Sequence, residues 1–159
     1  MFTSRTAKRY LSAVVTALLF LFAVSSYPAA AQETLSKNGL TVYLGVAPAE
    51  IVKGPSAHSV ERPMHGRVPN GPHEYHVVAA IFDAATGDRV SNASVTAQVS
   101  GIGLAGAKKK LEPMQIASTT TYGGFFDVPG FDLYTVRLTI ARPGEPQPVV
   151  FNFKYDHRR

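Results

Sequence analysis

The sequence predicts an all-β protein, an antiparallel β-sandwich of about seven short strands preceded by a signal-peptide helix. Three observations carry this prediction. Apolar and polar residues alternate over several short stretches, as in Leu133-Tyr134-Thr135-Val136-Arg137-Leu138-Thr139-Ile140, which is the period of a half-buried strand. Gly, Pro, Asn and Asp return about every 8–12 residues, the spacing of turns in a sandwich. Beyond the N-terminal leader no stretch has the apolar period of a helix.

The leader comes first. Arg5, Lys8 and Arg9 form a basic start, and Leu11 to Val24 is apolar except for Ser12 and Thr16. Pro28 then ends the helix, and Ala29 and Ala31 supply the small residues that signal peptidase requires, so cleavage is expected after Ala31. The apolar run is shorter than the roughly 20 residues that span a bilayer, so no stable membrane anchor remains after cleavage. This reading places the protein in the periplasm or outside the cell. It divides the chain into a leader (1–31), a flexible lead-in (32–39), a β-sandwich domain (40–156) with a long loop at 53–73, and a polar tail (157–159).

Removing the leader changes the charge. The full chain has 16 Lys and Arg against 11 Asp and Glu, a net charge of +5. Three of the cations and none of the acids lie in 1–31, which leaves 13 against 11, or +2. The basic balance largely reports the leader and gives no nucleic-acid footprint. With no Cys, the chain has no disulfide and no thiolate chemistry. An exported domain without disulfides must rely on its hydrophobic core.

Leu40, Val42, Leu44 and Val46 share one face of a first strand, and Pro48 argues for an edge or a bend after it. Lys53 to Pro72 is rich in Gly and Pro and nearly free of apolar residues. Loops of about 20 residues are uncommon in compact domains unless they serve a function or are disordered. Tyr75 to Phe82 is apolar on both parities, which predicts a strand covered on both sides. Asp83 to Arg89 reads as a tight turn, and Ala93 to Val99 alternates strictly. Together they predict a central hairpin. Gly101, Gly103 and Gly106 match the spacing of a dinucleotide fingerprint, but no helical period follows and the match is rejected. Lys108 to Lys110 reads as a solvated loop or an edge strand. Further strands are predicted at Lys110–Ala117, Thr119–Tyr122, Phe125–Val128, Leu133–Ile140 and Val149–Tyr155, with Gly123-Gly124 separating the second and third of these.

Phe82-Asp83, Gly87, Val90, Ala93 and Val95 resemble the hairpin of bacterial transthyretin-like and immunoglobulin-like modules. Gly124, Phe126, Pro129-Gly130, Tyr134, Val136 and Leu138 resemble their later strands. The chain over roughly 40–155 is similar to small exported proteins of the YtkA-like and FixH-like type. The resemblance implies a β-sandwich, and an association of some relatives with copper handling or cytochrome oxidase assembly. A cleavable leader in place of a retained anchor departs from the FixH-like pattern.

The residues themselves offer one chemical constellation. Met64, His65, His73, His76 and Met114 are thioether and imidazole donors, which suit copper and, for imidazole, zinc. His76 lies within an apolar strand, where a polar ring needs a partner. The loop bearing Met64 and His65 ends just before that strand. The competing account makes His76 a core histidine and the methionines packing residues. Glu74, Asp83, Asp127 and Asp132 lack the spacing of a calcium loop. No nucleophile elbow or other enzyme signature is present. The sequence therefore reads as an exported, non-enzymatic binding protein, a copper chaperone or buffer working with a metal-handling partner. The alternative is a metal-free module docking to an envelope protein through an edge strand or the long loop.

Overall fold

The computed structural model describes residues 32–49, 71–116, 118–130 and 132–158. The predicted leader and its cleavage site, together with His58, Met64 and His65, lie outside the described residues. Among the described residues eight strands are formed: β1 (Gln32–Lys37), β2 (Leu40–Pro48), β3 (Glu74–Asp83), β4 (Ser94–Ser100), β5 (Ala107–Ile116), β6 (Thr119–Asp127), β7 (Leu133–Ala141) and β8 (Val149–Asp156). Every pairing is antiparallel and the order across the sheet is β1-β2-β3-β6-β5-β4-β7-β8. The all-β antiparallel fold is as the alternation predicts.

β5 joins the two halves of the sheet. Up to Leu111 it pairs with β4, and from Glu112 it pairs with β6. Pro113, which has no N–H to give, sits just past the last residue paired with β4. One core lies between the halves. Leu40, Val42 and Leu44 of β2, Val77 and Ile81 of β3, and Tyr122 and Phe126 of β6 meet Val95, Val136, Leu138, Phe151 and Phe153 from the other half. Phe151 and Phe153 stack at 6.2 Å.

Three elements differ from the sequence reading. The flexible lead-in over 32–39 is instead strand β1 and its turn. Leu35 packs against the core, and Asn38 and Gly39 both take positive φ (48° and 74°) between the paired Lys37 and Leu40. This is the two-residue turn that Asn-Gly favours. The Gly123-Gly124 step lies inside a single strand, β6, rather than between two. The central hairpin is a crossover. Asp83 N donates to Asp88 O and Val90 N to Ile81 O, but β3 then pairs with β2 and β6 while β4 pairs with β5 and β7.

Tyr122 fixes that crossover. From the middle of β6 its hydroxyl accepts from Ala93 N at 2.9 Å and donates to Val90 O at 3.3 Å. Burial pushes the phenol pKa up, while the bond from Ala93 N opposes the rise. Asp83 shapes the start of the same connection. Its carboxylate accepts from the backbone N–H of Ala85 and Thr86 at 2.9 and 3.1 Å, and Arg142 lies 3.6 Å away. The Thr86 and Ala85 bonds, with Arg142 adding attraction, hold its pKa below the usual carboxylate value.

Tyr122→Phe leaves the half-buried Ala93 N–H without its partner and is expected to cost about 1 kcal/mol in urea unfolding. A smaller loss, within error of zero, would mean that water replaces the hydroxyl. Asp83 contributes stability above the unfolded carboxylate pKa, and loses it as pH falls through the lower folded value. The melting-temperature gap between wild type and Asp83→Ala should therefore narrow on acidification. A gap independent of pH would remove the carboxylate's charge from the account.

Candidate functional site

The outer face of β6 is the unusual surface of this fold. Tyr122, Gly124 and Phe126 face the core, as one side of any sandwich strand must. Yet Thr121, Gly123 and Phe125 on the opposite side are buried as well. β3 and β5 flank this strip. Register places Ala47 of β2, His76 of β3 and Phe125 of β6 in one row, and Val78, Gly123 and Glu112 in the next. Met114 of β5 lies opposite Thr121.

Gly123 is where two donors meet. A Cβ on Gly123 would stand 2.8 Å from His76 Nε2, 3.1 Å from Met114 Sδ and 2.5 Å from Met114 Cε. The imidazole nitrogen and the thioether sulfur therefore occupy the room that the missing side chain leaves, and they are no further apart than the sum of their two distances from that point. His76 is 3% exposed and its ring lies 4.7 Å from that of Phe125. Thr121, across from Met114, is buried, and its hydroxyl oxygen makes no hydrogen bond. The patch thus combines a soft sulfur, a borderline nitrogen, an apolar wall and a spare hydroxyl oxygen. This donor set fits Cu(I) better than a hard cation.

Of the five predicted ligands, the structure brings together His76 and Met114. His73 is exposed in the turn before β3, where its carbonyl accepts from Val128 N at 2.8 Å. Met64 and His65 are not among the described residues. The connection that carries them leaves β2 just after Pro48, which is paired with Tyr75, and Ala47 directly faces His76. Among the described residues no group of three or more His, Asp and Glu is placed to hold a metal. Glu74 and Asp127 oppose each other across β3 and β6. Asp83 caps its own turn at the other end of the strand, and Asp132 Oδ1 accepts from Leu133 N. Sequence reasoning missed Gly123, Thr121 and Phe125. The only signal for them was a Gly-Gly step inside a β-prone run.

Lys108 to Lys110 are exposed on the first half of β5, which pairs with β4 alone, so the solvated, edge-like reading holds for this stretch. Lys109 Nζ donates to Phe125 O at 2.8 Å and lies 5.2 Å from the Phe126 ring centre. The Gly101, Gly103 and Gly106 stretch leads directly into β5, with no helix after it.

No protein-family model matches the sequence, and no curated protein does either. Solved structures do share the fold. A copper-bound variant of FetP from uropathogenic Escherichia coli aligns with a TM-score of 0.60 at 14% identity, over 80% of this chain and 95% of its own. A DUF4426 family protein from Pseudomonas aeruginosa gives 0.56 at 12% identity, over 79% and 93%. The copper-reconstituted P19 protein from Campylobacter jejuni gives 0.54 at 13% identity, over 79% and 92%. At these identities the likeness is one of fold.

Gly123→Ala puts a methyl group where Met114 and His76 now meet. It should displace the thioether and destabilise the domain by about 1–3 kcal/mol, as overpacking does. The chain has three Met, so the Met114 methyl signal can be assigned in a carbon-labelled NMR spectrum. An unmoved Met114 signal in the variant would contradict the contact.

Proposed function

We propose that this chain is an exported, non-enzymatic metal-binding protein that holds copper, or another soft transition metal, with His76 and Met114. The observation that carries the reading is the convergence of His76 Nε2 and Met114 Sδ over Gly123. Imidazole and thioether together select a soft ion, and a wall formed by Phe125 limits water at the site. Met64 and His65 are the proposed further donors, because their connection starts beside Ala47, in the same row as His76. His73, close to the start of β3, is the remaining candidate. Bound copper would supply a readily exchanged soft Lewis-acid centre, as a chaperone or buffer requires.

Three further observations support the reading. FetP and P19 share the fold and have been solved with copper. The hairpin and later-strand patterns resemble YtkA-like and FixH-like proteins, some of which are associated with copper handling. The leader at 1–31, with processing after Ala31, would deliver the domain to the periplasm, where a metal-handling partner would exchange the ion.

Anaerobic titration of Cu(I) against a chromophoric chelator tests this. Wild type should compete with one-to-one stoichiometry. Met114→Leu, which keeps the apolar volume, and His76→Asn should each weaken binding about tenfold or more while retaining the β-sheet circular dichroism spectrum. Met64→Ala should weaken it as well if the 50–70 connection completes the site. Failure of wild type to compete at micromolar copper, or equal affinity in wild type, Met114→Leu and His76→Asn, would overturn the proposal.

A further inference from the structure

The connection between β4 and β5 holds two aliphatic side chains out into solvent. Ile102 is 70% exposed and Leu104 is 63% exposed, the two highest values among the described large hydrophobic residues. The loop behind them is tied down. Gln98 Nε2 and Ser100 Oγ both donate to Ala105 O, at 2.6 and 3.0 Å, and Leu104 N donates to Gly101 O at 3.2 Å. Gly106 has φ +67°, and a Cβ there would stand 1.9 Å from Val99 O, so only glycine closes the loop in this form. From Gly101 to Ala107 no side chain is polar. A connection serving only as a spacer would have no reason to fix two aliphatic residues in water.

A basic surface begins directly behind this tip. Gln98, which holds the loop, is paired on one side with Lys108 and on the other with Arg137. These two cations line a surface hollow of about 290 Å³ with Thr96, Gln98 and Thr139. Lys110 lies opposite Thr96, one step along the same face. None of Ser94–Ser100, Ala107–Leu111 and Leu133–Ala141 contains Asp or Glu. The hydroxyls and amide around the cations are neutral hydrogen-bonding groups.

We propose that this tip docks the protein reversibly on a bilayer carrying anionic phospholipids. Ile102 and Leu104 enter the boundary between headgroups and acyl chains, and Lys108, Arg137 and Lys110 face the headgroup phosphates. The shape favours lipid over a protein partner. A stable protein interface needs about 800 Å² of matched surface on each side, whereas a two-residue apex fits a fluid interface that needs no complementary pocket. Two aliphatic side chains alone hold a protein weakly on a membrane, so stable attachment takes the apolar and the electrostatic contributions together. The contact uses none of the proposed metal ligands and stands or falls separately from copper.

The chain contains no Trp, so Leu104→Trp in the processed protein, freed of the apolar leader 1–31, gives a single reporter. With vesicles of equimolar phosphatidylcholine and phosphatidylglycerol its emission should move to the blue and be quenched by brominated lipid, and phosphatidylcholine alone should give little change. Adding Ile102→Ser should lower partitioning about tenfold. Adding Lys108→Glu should lower it at least about fivefold. Gln147→Trp, in the connection between β7 and β8 at the opposite end of the strands, should stay unshifted. No shift for Leu104→Trp on either vesicle would overturn the proposal. So would a shift unaffected by Lys108→Glu, or an equal shift for Gln147→Trp, which would trace adsorption to another part of the chain.

Discussion

Burial of both faces of β6 is the constraint on which the site and much of the sheet depend. A strand in a two-layer structure normally gives one face to the core and the other to water. Here the two central residues are Gly123 and Gly124, and each admits a side chain from a neighbouring strand. A Cβ on Gly124 would stand 3.1 Å from Leu111 Cδ2 on the core side, while Gly123 admits Met114 and His76 on the other. β5 thus places Leu111 on one side of β6 and Met114 on the other. It can do so because it changes partner between those two residues, which lets the strand follow β6 closely over its second half.

The same arrangement accounts for the chemistry. A histidine in the middle of an apolar strand is costly unless its ring is given a use or a partner. His76 is held against the Phe125 ring, and its Nε2 and the Met114 sulfur both border the space that Gly123 leaves open. Sites on strands vary less in position than sites on loops. Here the two side chains that meet over Gly123, His76 and Met114, both come from strands of the sheet.

Much of the fold was legible because burial follows a period of two. Leu40 to Val46, Val95 to Val99, Leu133 to Ile140 and Val149 to Tyr155 have alternating patterns, and all of them are strands. Pairing was less legible. Asp83 to Arg89 does form a tight turn, but a turn fixes only the first bonds of a hairpin, and Tyr122, thirty-odd residues away, draws the continuing chain into the other half of the sheet. β1 was less legible, because the polar character of Gln32 to Lys37 reads as a lead-in, while the Asn38-Gly39 turn shows its meaning only once Lys37 and Leu40 are seen paired. The sequence suggested His76 and Met114 as partners by their chemistry. Only the register through β6 shows that they meet, since no spacing along the chain relates residues on two strands separated by a third. Gly123 looked like a break because glycine weakens strands. Here its lack of a side chain is what the packing requires.

Closure between β1 and β8 has a consequence for how this protein behaves in a crowded compartment. The Glu33 carboxylate accepts from Lys154 N at 3.0 Å, and the Lys37 ammonium donates to Val150 O at 3.3 Å. The outer ladder of β8 is thereby capped by two charged side chains of β1. An intruding chain seeking to extend the sheet would have to break these bonds first, which blunts the edge-to-edge polymerisation to which β proteins are prone. With no cysteine to lock the fold covalently, resistance to fibril growth rests on this charged seam, and it is accordingly sensitive to ionic strength.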